Sequence, residues 1–509
     1  MNADKAVCHG RLLAKRVRAR LTSGGVAGVA ALCTVLATSG LASTGLAMTA
    51  SPALATASAK AGPSTVGTVE AGTVKASSSQ VPTAADWAAY LDGPRHTSYS
   101  ASQTVITPTT APSLTRRWSR GTGAPYQASP TVADGRVYIG SENGWFYKLS
   151  MYSGRVLSKV NLGSQPALTC GAKGITSTAT VAVNPHNKRL TVYVAGGDGY
   201  LYALRASNLR REWRAVIGIP SKKVNNYYDW SSPTVSHGRV YVGVASSCDK
   251  PLVRGGVLAF DEGTGKKLGQ FFTVPAGAKH AGGSVWSSIG VAPNGDVYAT
   301  TGNGPQYNQF LQNSDSILKL SPVRLKLLGS YQVPKAQATV DGDFGASPVF
   351  FGSYVGACNK NGVFYALRQA TMKRVWSRRI SGAIGGNAAC LAAPAYNGTD
   401  LFFGGAGVMI NGTAYAGSVQ ERVPSTGALV WSTGLAGDVL GSPTLDGGGV
   451  LTAGAYGGSS PGVYLIDASS GAVIEQLTGG STFGQSVFAR NWLFTANSNG
   501  VSAWQLPAS

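Results

Sequence analysis

The sequence predicts an all-β protein: a single eight-bladed β-propeller of four-stranded antiparallel blades, closed by an N-terminal strand that completes the last blade. Three observations carry this. First, the 509 residues contain 68 Gly and 24 Pro but only 13% charged residues. Val, Thr, Tyr and Trp are plentiful, and no long stretch has helical periodicity. Second, one short unit recurs along most of the chain. Third, the final copy stops one strand short, and a strand without a partner precedes the first copy.

The unit is a Ser-Pro-Thr-Val-like strand, a polar turn, a Val-Tyr-Val-like strand, an Asn-Gly or Asp-Gly turn, a Leu-Tyr-Ala-Leu-like strand, a Ser/Thr-Gly turn and often a Trp-bearing strand. In the first copy these are Ser129–Val132, Val137–Gly140, Asn143-Gly144, Tyr147–Leu149 and Ser153-Gly154. Further copies begin at Ser177, Ser232, Ser288, Ser347, Ala393, Ser442 and Ser486. Four short strands repeated in tandem at roughly 45 to 60 residues read as propeller blades. The last copy ends at Val501–Trp504, and the stretch Ser113–Trp118 supplies the missing outer strand. Closure of this kind leaves only short, protected edges. Trp118, Trp213, Trp376 and Trp431 end blades and are expected to pack between neighbours.

Residues 86–509 form the propeller in this reading. Before it, residues 1–55 read as an export signal. Lys5, Arg11, Lys15, Arg16, Arg18 and Arg20 form a basic start, an apolar stretch follows from Val26, and Ala53-Leu54-Ala55 offers a cleavage site. Thr34, Thr38, Ser39 and Ser43 interrupt the apolar run, which reads against a membrane anchor, so no membrane span is expected in the mature protein. Residues 56–85 are Ala, Ser, Thr, Gly and Val, a flexible linker. The expected location is secreted or extracytoplasmic. Once the signal is removed, Cys170, Cys248, Cys358 and Cys390 remain, an even number suited to an oxidising compartment. Three connectivities are open. The positions favour Cys170–Cys248 and Cys358–Cys390, each tying adjacent blades.

The chain carries a net charge of +21, and loss of residues 1–55 leaves +16. The basic residues stand in short scattered pairs, such as Lys222-Lys223 and Lys373-Arg374, so no nucleic-acid partner is expected. There is no nucleophile elbow, no P-loop and no C-x-x-C-H haem motif, and the few His residues have no metal-ligand spacing.

What remains is chemistry on long inter-strand loops. The stretch Gly282–Pro305 sets Trp286, a flat aromatic surface, one hairpin away from Asn303 in a Thr-Gly-Asn-Gly-Pro loop. Asp341 and Asp343 offer carboxylates, Lys360 a cation and Asn387 another amide. Oxygen ligands of mixed charge suit Ca²⁺. A planar polyanionic cofactor lying on an indole, with a Lys and a cation at its edge, is electrostatically sensible.

These residues and the repeats together resemble the pyrroloquinoline-quinone (PQQ) repeats of the quinoprotein alcohol dehydrogenase-like superfamily, with secreted polyvinyl-alcohol dehydrogenase-like proteins the nearer comparison. The resemblance covers residues 86–509. It implies PQQ and Ca²⁺ as cofactors. Trp286 is then the floor under the quinone, Lys360 and Asn387 contact it, Asn303, Asp343 and Asp249 bind the metal, and Asp341 is the catalytic base. Asp249 stands where that family carries a Glu, and Val340 where it carries a Trp. The implied activity is oxidation of a small-molecule or polymeric alcohol, with electrons passed to a separate acceptor. A bacterial outer-membrane assembly lipoprotein uses similar repeats as a scaffold. The alternative is therefore a non-catalytic propeller that binds a protein or polymer of the cell envelope.

Overall fold

The structure is a computed structural model, and it describes residues 81–165, 171, 173–221, 226–276, 281–304, 311–382 and 390–508. The expected export signal and most of the linker lie outside these residues, as do Cys170 and Asn387. No helix among the described residues is long and apolar enough to cross a membrane.

Alternating apolar residues and tight turns build eight sheets. Blade 1 comprises Thr131–Ala133, Arg136–Gly140, Trp145–Ser150 and Val156–Asn161, each strand pairing antiparallel with the next. Blades 2 to 7 repeat this meander. In blade 8, Val487–Ala489, Trp492–Asn497 and Gly500–Gln505 are joined by Thr115–Arg120. The register Thr115↔Gln505 and Arg120↔Val501 closes the ring from the N-terminal side, as the orphan strand predicted.

The repeated Ser or Thr at the start of each unit has a structural reason. It clasps each blade to the one before it. The backbone N–H of Ser129 donates to Thr178 Oγ1 (2.9 Å), Thr178 to Ser232 Oγ (3.0 Å), Ser232 to Ser288 Oγ (3.0 Å) and Ser288 to Ser347 Oγ (2.9 Å). Ala393 N–H donates to Ser442 Oγ, and Gln485 N–H to Ser129 Oγ across the closure. Each bond satisfies a buried N–H that the inner strand cannot pair within its own sheet. Blade 6 begins with Ala393 and has no hydroxyl to offer blade 5. That junction carries the Cys358–Cys390 disulfide instead. Cys248 is also disulfide-bonded, and its expected pairing with Cys170 falls outside the described residues.

The blade-end tryptophans pack between blades as expected. The indole of Trp213 in blade 2 lies on Gly265 of blade 3, where an added Cβ would be 2.5 Å from the ring, and its N–H donates to Glu262 O (3.2 Å). Trp118 on Gly154, Trp376 on Gly427 and Trp431 on Gly471 repeat this contact. The glycines also adopt φ between +63° and +75°, so a side chain there is refused by both backbone and ring.

One element was not legible in the sequence. Residues 84–101 run across the end of the ring, bonding in turn to the innermost strands of six blades and to the turn that follows the innermost strand of blade 8. Trp87 pairs with Val132, and Ala88, Pro94, Arg95, Thr97 and Ser98 accept from Val181, Val291, Phe350, Tyr396 and Leu445. Ala85 accepts from Arg490, and Tyr99–Ser100 adds a fifth, parallel strand to blade 7. Inner strands run towards this end from the loops that hold Trp286, Asp341 and Asp343. The strap therefore closes the end of the channel opposite those loops, and Tyr90 faces into the axial cavity.

Candidate functional site

Four loops at the other end converge. Asn303 follows the second strand of blade 4, Val297–Thr300. Its loop is pegged by Gly283 N–H to Asn303 O (2.8 Å), Gly302 N–H to Ser284 O (2.8 Å) and Thr301 Oγ1 to Asn313 O (2.7 Å). Asp341 and Asp343 lie in the segment entering blade 5, with Asp341 in the left-handed region at φ +58°. Lys360 sits in the next turn of blade 5, after Tyr354–Cys358. Asp249 is on the long loop of blade 3, at φ +56° after Cys248 at φ +55°.

Lys360 Nζ donates to Asp343 Oδ2 (2.7 Å) and Asp341 Oδ1 (3.0 Å). It also lies 5.5 Å from the centre of the Trp286 ring. Asn303 N–H donates to the other Asp343 oxygen at 2.7 Å. One carboxylate oxygen each from Asp249, Asp341 and Asp343 lie within 4.8 Å of one another. The side-chain amide of Asn303 donates to Gly304 O (3.1 Å), which leaves its oxygen as the atom to offer a cation. The structure thus brings together six of the seven predicted site residues. Asn387 lies outside the described residues.

Two further groups escaped sequence reasoning. Asp315, buried behind Asp343, has its carboxyl pushed up to about 7, first by burial and then by the neighbouring charge of Asp343. Its Asn-Ser-Asp context reads as a turn, so nothing local marks it. Lys173 is buried, with its ammonium 5.8 Å from the Trp230 ring centre. Trp230 and Trp286 occupy equivalent positions at the head of blades 3 and 4, and both line the axial cavity with Tyr90, Leu391, Leu440 and Phe483. The Trp-Ser-Ser shared by Trp230 and Trp286 was the available signal.

Burial works to lower the Lys360 pKa, but Asp343, then Asp341, and then Asp249 outweigh it and hold the pKa above its ordinary value. The site therefore holds a fixed ammonium among three carboxylates, beside an indole. Gly345 lets that indole approach: a Cβ there would be 2.5 Å from Trp286 Cη2 and 2.4 Å from Leu391. Trp286 Nε1 is buried and has no hydrogen-bond partner among the described residues. Three carboxylates and an amide oxygen are a hard-cation donor set. A flat ring flanked by ammonium groups suits a planar anion.

Fold and site together define a PQQ-like propeller of the quinoprotein alcohol dehydrogenase superfamily. Residues 64–247 and 153–390 match the profile of the family described as outer membrane protein assembly factor BamB, and the chain belongs to that family of PQQ-like repeat propellers. Among curated relatives, the quinohemoprotein alcohol dehydrogenase ADH IIB of Pseudomonas putida is 31% identical over 174 residues, 28% of this chain and 24% of the relative. The chain thus spans about a quarter of that relative's length. Among solved structures, the quinohemoprotein alcohol dehydrogenase of Comamonas testosteroni superposes with a TM-score of 0.66 at 16% identity, covering 84% of this chain and 82% of that one. A europium-containing methanol dehydrogenase gives a TM-score of 0.66 at 15% identity, over 83% and 98%. At these identities the superpositions establish the fold.

Proposed function

We propose that this propeller is an exported quinone-dependent dehydrogenase that oxidises an alcohol. The single observation carrying this reading is the Lys360 ammonium held between Asp341 and Asp343 beside Trp286, with Asp249 as the third carboxylate. In this reading Asn303, Asp249 and Asp343 hold a hard cation, Ca²⁺ or the europium named for the methanol dehydrogenase above, and Trp286 supports PQQ. When bound, the quinone supplies a two-electron acceptor and the cation polarises it.

The chain's own residues do the rest. Asp341 accepts the proton of the substrate hydroxyl as general base. Lys360, 3.0 Å from Asp341 Oδ1, fixes the orientation of that carboxylate and lends a positive charge to the quinone edge. Lys173, above Trp230, is a second cation for the cofactor's carboxylates. Asp343 positions Asn303 and Lys360 while offering an oxygen to the cation. The strap seals the far end of the channel, so substrate enters from the loop side. With no C-x-x-C-H in the sequence, electrons pass to a separate acceptor.

The test is reconstitution with PQQ and Ca²⁺ or Eu³⁺, followed by dye-linked alcohol oxidation. Asp341→Ala is expected to lower turnover by about 10²- to 10⁴-fold with quinone binding retained. Failure to bind quinone with either metal, or full activity in the variant, sinks the enzyme reading and leaves a scaffold at the cell envelope.

A further inference from the structure

On the strap end of the ring, far from the site, each blade turns from its third strand into its outermost one. The residue after the left-handed turn residue closes that turn through its carbonyl. Arg155 O accepts from Ser150, Arg210 O from Arg205, Lys266 O from Asp261, Lys326 O from Ser321 and Lys373 O from Arg368, all at 2.8–2.9 Å. These five residues are therefore structurally equivalent, one in each of blades 1 to 5. All five are exposed, and none joins an ion pair with a described residue. The equivalent carbonyls in blades 6 and 7 belong to Ala428 and Ala472.

Charges on outer strands discourage edge-to-edge aggregation. That need is the same in every blade, yet the turn position is cationic in blades 1 to 5 and Ala in blades 6 and 7, while the outermost strand of blade 4, Leu327–Gln332, lacks Lys and Arg just as those of blades 6 and 7 do. Edge protection also works with either sign, whereas these five positions are all cationic. A row of one sign, in one register, over five consecutive blades calls for an extended anionic partner.

We propose that this row binds a linear, flexible phosphate polymer running along the rim of blades 1 to 5. The curve of a propeller rim excludes a stiff duplex, whose persistence length is about 150 base pairs. Lys binds phosphate as a point charge and Arg forks onto phosphate as readily as onto carboxylate, so all five cations suit a phosphate chain. Inner strands run from the site end to the strap end, and the third strands run the same way. A polymer on this rim therefore leaves the axial mouth open. The inference is independent of the proposed enzyme activity.

The experiment measures binding of the full chain to long-chain sodium polyphosphate as a function of salt. Five contacts predict a log–log slope of about −3.5. Alanine at all five positions is expected to weaken binding by more than about tenfold at low salt and to flatten the slope. Ala428→Lys with Ala472→Lys extends the row to seven blades, and is expected to tighten binding and steepen the slope by about 1.4 units. All these changes are on exposed turns and leave the melting temperature as the fold check. Equal binding by the wild type and the five-site variant, no gain in the extended variant, or tighter binding of polygalacturonate than of polyphosphate would overturn the proposal.

Discussion

Lys360 and Asp343 are joined twice. The ammonium donates to Asp343 Oδ2 at 2.7 Å, and the Lys360 backbone N–H donates to the Asp343 carbonyl at 2.9 Å. Since the other carboxylate oxygen receives Asn303 N–H, this one residue fixes the relation between the site loops of blades 4 and 5. Removing the ammonium leaves three carboxylates facing one another. Lys360→Met is expected to destabilise the fold by about 3–5 kcal/mol, the usual cost of breaking a buried pair. Added Ca²⁺ should raise the melting temperature of this variant more than that of the wild type. Calorimetry with and without the ion checks this, and equal shifts would argue against a cation site.

The hydroxyl clasps and the disulfide share one job, and the blade 5–6 junction shows the exchange. Cys358→Ser with Cys390→Ser is expected to cost about 2–4 kcal/mol. Ala393→Ser in that background adds the missing acceptor and should return about 0.5–1.5 kcal/mol, the worth of one hydrogen bond. Denaturant midpoints of the two variants decide it.

The stacking of Trp213 on Gly265 predicts non-additivity. Gly265→Ala places a methyl 2.5 Å from the indole at φ +70°, and is expected to cost about 1–3 kcal/mol. In a Trp213→Ala background only the backbone strain remains. A double-mutant cycle should therefore show coupling of about 0.5 kcal/mol or more.

Burial raises the Asp446 carboxyl from 3.8 to about 7, against the lowering effect of backbone N–H bonds from Val450 and Gly448. The folded state thus keeps a proton that the unfolded chain releases. The associated stability is fully present below pH 3.8 and is lost as pH rises through about 7. Within that window the slope is about 1.4 kcal/mol per pH unit. Asp446→Asn removes this titration. Thermal melts from pH 4 to 8 should fall less steeply for the variant than for the wild type, and parallel curves would contradict the assignment.

Most of the fold was legible because a propeller is a local code repeated. The strand period of two, the Asn-Gly and Asp-Gly turns and the Ser or Thr heading each unit are short-range signals, and their eightfold recurrence gave blade number and closure. The strap was not legible. Its sequence around Trp87–Ser98 has no alternation, and its bonds are each to a different distant blade. Asp315 was missed for a related reason, since it gains meaning only by being buried behind Asp343.

The sequence by itself determined the class of fold, the closing strand and the loops on which the candidate residues ride, since each follows from local pattern or repeat count. Only the tertiary structure decided which of those residues meet. Asp249, Asn303, Asp343 and Lys360 belong to three blades, and no spacing along the chain states their separation. It also placed five cations in one register along the rim, where the sequence showed scattered pairs. Through-space distance depends on the closure of the ring, and that is a property of all eight blades together.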